Sequence, residues 1–501
     1  MTTAAVGTSI DKRLLSNYID GAFAQGNGDG FVEVVNPATA QVVARIPRCA
    51  PSDADRAIAA ARRAFDEGLW PRLPRKERAR ILRGFAEALD RHAAEITELV
   101  VTQGGCTVAQ AENMQVAFPI QAMYEYAELA GRDPVEWVDI AGGAFEGSVP
   151  GVGHTVVIRE PVGVVAAITP FNYPFMLNVH KVGAALAAGC TVVLKPTEYT
   201  CLDAALIARI IDEETEIPAG VVNVLVGATG DVGSMLTSDP RVDHVSFTGS
   251  TATGRAVMAS AASTLKSVTL ELGGKNANII FADADLDAAL AGDCGLVIRH
   301  AGQGCAALSR VLVEESIKDE VIVRMKARAE SVIVGDPTDL ETEMGPLVSR
   351  SQWERVRGYI ASGIEEGATL VSGGRVPSHC EDGYFLEPTV FSDVTPSMRI
   401  TREEIFGPVV VVQTFTNEDE AVRLANDTEY GLVGSVWSGE LSRALRVAGR
   451  LRAGTINANG PGSGTPSAPY GGYKQSGLGR EFGVSGVLEY TEVKTLKYSS
   501  K

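Results

Sequence analysis

Five runs decide the fold: VGVVAAITP (162–170), TVVLKP (191–196), VVNVLVG (221–227), HVSFTGS (244–250) and SVTLELGGK (267–275). Between them stand stretches with helical spacing, at 177–189, about 200–216, 230–238 and 251–265. Continuous apolar strands alternating with helices predict a parallel sheet covered on both faces. In such a sheet ligands gather beyond the carboxyl ends of the strands, where Asn172, Lys195, Gly249 and Glu271 fall. A second α/β series follows. ANIIFAD (277–283) leads into a predicted helix reaching about 300, and SRVLVEES (309–316) into one over 317–333. Later strands are predicted at 389–394, 409–415, 434–438 and 454–459. Upstream, 17–48 reads as short strands with turns, and 52–104 as helices, the first with Ser52 and Asp53 as its N-cap. The expected fold class is α/β, with two stacked Rossmann-like parallel-sheet lobes. Segments 144–160 and 488–498 read as extended arms outside them.

A chain of 501 residues is too long for one compact core and suits two or three lobes. Its 62 acidic and 45 basic residues give a formal charge of −17. That field repels nucleic acid and anionic lipid surfaces, although a local nest of backbone N–H groups still holds a phosphate against it. Seven cysteines, at 49, 106, 190, 201, 294, 305 and 380, form no C-x-x-C pair. Neither a disulfide framework nor a metal site is expected, and a reducing cytoplasm fits best. The opening residues lack a secretory pattern. The most apolar stretch, 182–194, is 13 residues long, short of the about 20 a bilayer requires. No membrane partner is expected.

Several residues carry candidate chemistry. Cys305 lies in HAGQGCAALSR (300–310), where small neighbours leave its sulfur unobstructed; the alternative is a buried core cysteine. Glu271, at the end of an apolar strand, is placed for proton abstraction if desolvated, or is a solvated strand-end charge. Asn172, in TPFNYP, offers a side-chain amide to a developing oxyanion, or simply turns the chain before Pro174. FTGSTATG (247–254) joins a strand to a helix, with Gly249 and Gly254 spaced for a turn that aims N–H groups at a pyrophosphate. Lys195 and Glu198, in LKPTE, suit ribose hydroxyls or form a surface ion pair. A carboxylate there favours NAD over NADP.

Their order and co-occurrence identify the chain as resembling the aldehyde dehydrogenase superfamily along nearly its whole length. TPFNYP, LKPTE, FTGSTATG, LELGGK, GQGC, EEIFGPV (403–409), PYGGYKQSGLGRE (469–481) and the closing LEYTEVKTL all match motifs of that family at matching separations. The resemblance implies that Cys305 attacks an aldehyde to give a thiohemiacetal, its oxyanion held by Asn172 and the Cys305 N–H. Hydride then leaves for a nicotinamide, and Glu271 activates the water that releases the acid from the thioester. It further implies a proton-relay role for Lys181. NAD contacts carried over in the same way are Ile168, Thr169, Pro170, Phe171, Lys195, Thr197, Glu198, Gly233, Phe247, Gly249, Ser250, Gly254, Leu272, Glu404 and Phe406. The implied division is an NAD-binding domain (1–142 and 161–270), a catalytic domain (271–470) and oligomerisation arms (143–160 and 485–501), in a homodimer or homotetramer. Glu271 points to a free acid product, because relatives that pass the acyl group to coenzyme A generally lack it.

Departures from the family pattern mark where substrate is chosen. Phe171 stands where many relatives carry tryptophan, and His300 and Ala301 replace a more usual asparagine-containing approach. The loop ANGPGSGTPSAP (458–469) is rich in Gly, Ser and Pro where narrow-pocket relatives place aromatic anchors. A roomy entrance tolerant of bulky or aromatic aldehydes is expected. Gly464→Phe should then raise KM for bulky aldehydes more than for acetaldehyde; equal effects in steady-state assays would count against it. Arg299 and His180 map near the family's substrate tunnel, with structural roles as the alternative. A dedicated semialdehyde dehydrogenase, or a catalytically silent relative, are the competing readings.

Overall fold

The computed structural model describes residues 11–132, 135–137, 152–460 and 465–500. From edge to edge, the first sheet runs Gly477–Leu478, Ser267–Glu271, His244–Thr248, Val164–Ile168, Thr191–Lys195, Val222–Val224, Asn17–Ile19 and Ala22–Ala24. The strands from Ser267–Glu271 to Val222–Val224 are parallel. Alternate side chains of one strand leave on opposite faces, and both faces are covered. Val165, Ala167, Val192 and Leu194 pack with the helices Pro174–Ala188 and Leu202–Glu214. Val164, Ala166, Ile168 and Val193 pack with Pro51–Asp66, Gly230–Ser238 and Thr251–Ala261. That double burial explains why these strands read as unbroken apolar runs. Ile168 stands level with Lys195 and Phe247, and Thr248 with Glu271. The candidate residues therefore emerge along one edge.

The second sheet runs Thr369–Ser372, Thr389–Ser392, Val409–Phe415, Arg310–Glu314, Ala277–Ile280, Val433–Trp437 and Thr455–Ala458, parallel except for its first pair. Residues 470–490 cross back to the first sheet, where Gly477 pairs with Glu271 and Leu478 with Leu270. This crossing brings Tyr470, Glu481 and Phe482 to the edge where the candidate residues emerge.

Two local expectations are corrected. The predicted helix from 283 to about 300 is only Leu286–Ala289, followed by turns at Gly292–Cys294 and Arg299–Gly302. Gly292, at φ 51°, takes the left-handed conformation that ends helices. Helix Pro51–Asp66 is capped at Ala50, not at Ser52 or Asp53. Pro51, with φ already set for a helix, moves the start upstream. Asp53 instead sits in the first turn, where its carboxylate accepts from the N–H groups of Ala50 (2.8 Å) and Asn27 (2.9 Å).

Strand Thr491–Ser500 pairs antiparallel with Val152–Pro161 along all 10 residues, and Val135–Trp137 adds a third strand. Val493, Leu496 and Tyr498 of this arm are exposed. The arm's upstream part (143–151) and Gly464 lie outside the described residues. Among the described residues no helix is long and apolar enough to cross a membrane.

Candidate active site

Three consecutive residues, His300, Ala301 and Gly302, hold left-handed φ values of 48°, 50° and 73°. The first two carry about 1–3 kcal/mol of backbone strain each, so the surroundings must over-determine the turn. Gln303 supplies much of that hold. Its Nε2 donates to the His300 carbonyl (2.9 Å), and its Oε1 accepts from the Val348 N–H (3.0 Å). The His300 N–H donates to Gln110 Oε1 (3.0 Å). A Cβ at Gly302 would collide with the backbone of Gly407 and Pro408. Gly302→Ala is therefore expected to lower Tm by several degrees and to cost most of the activity. A variant with unchanged melting and turnover would show that the turn is not needed.

Downstream of this turn, Asn276 Nδ2 donates to the carbonyls of Cys305 (2.8 Å) and Ala307 (3.0 Å). The backbone is thus pinned on one side and the thiol left on the other. Cys305 is half-buried, whereas the other six cysteines are buried. Its Sγ stands 3.5 Å from Tyr470 Oη. Burial pushes the thiol up to about 12, opposed by the Tyr470 hydrogen bond and reinforced by the carboxylates of Glu404 and Glu271.

Glu271 is 3% exposed, and neither carboxylate oxygen has a hydrogen-bond partner among the described residues. Burial raises its pKa well above the usual range, Glu481 adds to the rise, and Lys181 opposes it. A Cβ at Gly471 would stand 2.7 Å from Glu271 Oε1, so glycine is what lets the crossing segment lie against the carboxylate. Tyr470, the residue before it, touches Cys305. Glu271 and Cys305 are therefore brought together on the Tyr470–Gly471 segment. Behind them the Lys181 ammonium donates to Glu481 Oε1 (2.5 Å) and Ser246 Oγ (3.0 Å). Asn172 is buried, with Oδ1 unpartnered among the described residues. The next residue reaches the cysteine loop: a Cβ at Gly304 would lie 3.2 Å from Tyr173 Oη.

The residues expected to hold a dinucleotide line the strand-end edge. The Thr169 N–H donates to the Lys195 carbonyl (3.1 Å), tying Ile168–Phe171 to the Lys195–Glu198 turn. Lys195 is buried, Gly233 faces its Cε at Cβ-contact distance (3.6 Å), and Thr197 Oγ1 lies 3.4 Å from half-buried Glu198. The Gly249 N–H donates to the Glu271 carbonyl (3.0 Å), while the ring of Phe247 folds beneath the turn. Ser250 caps helix Thr251–Ala261 through the Thr253 N–H (3.2 Å). Gly254 lets that helix close on Leu272, whose Cδ2 a Cβ would meet at 2.6 Å. From the second lobe, Glu404 Oε1 accepts from the Gly274 N–H (2.9 Å), and burial pushes its carboxyl up to about 7. The ring of Phe406 stands edge-on to Phe171, 5.8 Å between centroids. The edge offers a capped helix N-terminus for phosphates, a lysine–glutamate turn for hydroxyls and a cleft closed by residues of both lobes. These residues fit a dinucleotide.

Sequence reasoning missed part of the site. Tyr470 and Tyr173 flank Cys305, and Asn276 pins it. A buried chain also runs from Thr169 Oγ1 to Asn178 Oδ1 (2.7 Å), and from Asn178 Nδ2 to Asp203 Oδ2 (2.8 Å), with Gln103 on the other Asp203 oxygen (2.7 Å). The signal available was Asn178 itself, which with His180 and Lys181 interrupts an otherwise apolar helix. Aromatic rings lead away from the thiol. Tyr470 stands 5.6 Å from Phe482, Phe482 4.1 Å from His180 and 6.1 Å from Phe118. His180 Nδ1 pairs with Tyr126 Oη (3.1 Å), and burial holds the imidazole down at about 3, so it is neutral. Arg299 forms an ion pair with Asp293 (2.7 Å).

Comparison with known proteins agrees with this architecture. The family model described as "Aldehyde dehydrogenase family" matches residues 23–496. Betaine aldehyde dehydrogenase of Bacillus subtilis (strain 168) is 42% identical over 488 residues, covering 97% of each chain. The 3-succinoylsemialdehyde-pyridine dehydrogenase of a Pseudomonas species is 42% identical over 480 residues, 96% of this chain and 97% of that one. Among solved structures, betaine aldehyde dehydrogenase of Staphylococcus aureus in complex with NAD+ superposes with a TM-score of 0.92 at 38% identity, covering 97% of this chain and 95% of that one. With the match spanning both sheets and the arm, the chain belongs to the aldehyde dehydrogenase family.

Proposed function

We propose that this enzyme oxidises bulky or aromatic aldehydes to carboxylic acids with NAD, through a thioester on Cys305. The observation that carries the reading is a buried Glu271 carboxylate, without a hydrogen-bond partner among the described residues, against Gly471, one residue from the tyrosine that touches Cys305 Sγ. Cys305 gives its proton to a solvent water, and its sulfur attacks the carbonyl carbon. The oxyanion that forms falls to the side-chain amide of Asn172 and the Cys305 N–H. Bound NAD supplies the hydride acceptor, held by Ile168–Phe171, Lys195, Thr197, Glu198, Gly233, Phe247, Gly249, Ser250, Gly254, Leu272, Glu404 and Phe406. Glu271 then takes a proton from the water that attacks the thioester, and Lys181 with Glu481 offers that proton a buried way out.

The domains follow the same division: NAD-binding over 1–142 and 161–270, catalytic over 271–470, with 143–160 and 485–501 as oligomerisation arms. Exposed Val493, Leu496 and Tyr498 suit the arm to burial in a homodimer or homotetramer. Seven free cysteines suit a cytoplasmic enzyme.

The preference for bulky aldehydes rests on the Gly-, Ser- and Pro-rich sequence of 458–469, which carries no aromatic anchor, and on the rings that lead from Tyr470 to Phe482 and Phe118. A carboxylate-bearing semialdehyde finds less support, because Arg299 is engaged by Asp293 and His180 is neutral. A catalytically silent relative would have no use for Cys305, Glu271 and Asn172 together. Assays of benzaldehyde-like, succinate-semialdehyde-like and betaine aldehydes with each cofactor test the reading. We expect kcat/KM for the aromatic aldehyde to exceed that for the acidic one by about tenfold or more, equivalent to 1.4 kcal/mol. NAD should likewise exceed NADP. The reverse order for either pair overturns that part.

A further inference from the structure

One buried cation has no place in this chemistry. Lys275, just before strand Ala277–Ile280, is 1% exposed, and its Nζ has no hydrogen-bond partner among the described residues. Beside it lies a second buried cation. Arg310 donates from Nε to the Lys275 carbonyl (2.9 Å) and from its two Nη atoms to the carbonyls of Leu424 (3.0 Å) and Ala425 (2.9 Å). Those carbonyls take three of the guanidinium's five hydrogens and bring no net charge; the carboxylate that acts on Arg310 is that of Asp427. Lys275 and Arg310 line a cavity of about 20 Å³ together with Asn426, Thr428, Tyr430 and Arg452, room for one water-sized body.

The carboxylates that act on Lys275 are those of Glu404 and Glu403, and both are engaged elsewhere. Glu404 accepts from the Gly274 N–H, and Glu403 from Tyr359 Oη (2.7 Å) and Arg399 Nε (3.2 Å). An ammonium buried without a counter-charge is strongly unfavourable. Burial, and Arg310 after it, accordingly hold Lys275 down at about 7. A single negative charge in the cavity would relieve both cations at once.

We propose that this cavity binds one small monovalent anion of halide size between Lys275 and Arg310. The room for one water-sized body suits an ion smaller than phosphate, and the two cations select against a metal cation. Lys275 lies between Gly274, whose N–H holds Glu404, and Asn276, whose amide holds the Cys305 carbonyl. A filled site therefore braces the segment joining two parts of the candidate active site. The inference does not depend on which aldehyde is oxidised.

Crystals of the full chain grown in sodium bromide, with data collected at the bromine edge, test it directly. An anomalous peak at hydrogen-bond distance from Lys275 Nζ is expected. In solution, bromide or chloride titrated against gluconate at constant ionic strength should raise Tm saturably by about 2–4 °C. Lys275→Met should remove that dependence. A water at the position, bromide only at molar concentration with no saturable shift, or a Lys275→Met protein that keeps the shift would each overturn the proposal. If that variant does not fold, the map and titration of the unmodified protein decide.

Discussion

Cys305→Ala is expected to abolish aldehyde-dependent reduction of NAD, lowering kcat by about 10⁴-fold or more while leaving the fold intact. Removing a nucleophile removes the covalent route itself, which is why such substitutions cost far more than the loss of one hydrogen bond. The melting temperature should barely move, because the half-buried thiol makes one side-chain hydrogen bond among the described residues, the 3.5 Å approach to Tyr470 Oη, and alanine keeps its Cβ against the core. NAD binding followed by fluorescence should survive as well. The unmodified thiol carries its own signature. With burial pushing it up to about 12, only about 10⁻⁴ of it is ionised at pH 8. Alkylation of the free enzyme by iodoacetamide should accordingly rise about tenfold per pH unit from 7 to 10, without a plateau. A Cys305→Ala protein that still turned over, or alkylation levelling off near pH 8, would contradict this account of the sulfur.

The parts of the molecule that sequence reading reached are those where one physical constraint acts alone. A strand buried on both faces must be apolar throughout, so Val164–Ile168 and Thr191–Lys195 announced themselves, and with them the edge where ligands bind. The motif residues share that edge because they stand at strand ends and glycine turns. Reading failed where the chain returns from far away. Nothing local to Tyr470 says that its hydroxyl reaches Cys305, or that Gly471 lies against Glu271. Both depend on the antiparallel pairing of Gly477 with Glu271, a contact across about two hundred residues. The broken helix before Cys305 failed for the opposite reason. Its apolar residues have helical spacing, but Gly292 takes a left-handed φ, and the left-handed His300–Gly302 turn answers to the packing of Gly302 on Gly407.

Glu271→Gln separates acyl transfer to the enzyme from release of the acid. The isosteric amide keeps the volume of the buried side chain, so attack by Cys305 should proceed. The water that must open the thioester then lacks its base. A burst of NADH equal to the enzyme concentration, followed by steady turnover reduced about 10²–10⁴-fold, is the expected result in rapid mixing. Loss of the burst together with turnover would instead make Glu271 necessary for the first step. The pH dependence has a definite sign. Glu271 acts as a base only when ionised, and burial, with Glu481 adding to it, raises its pKa. Deacylation should therefore rise as pH increases through that raised value, and the Gln variant should lose this limb. Stability runs the other way. A carboxyl whose folded pKa exceeds its unfolded one binds more protons when folded, so its contribution is full below the unfolded value and is lost as pH rises through the folded value. Replacing it with glutamine, which has no charge to bury, should leave Tm near neutral pH equal to or above that of the parent, with a flatter fall as pH rises above the usual carboxylate range.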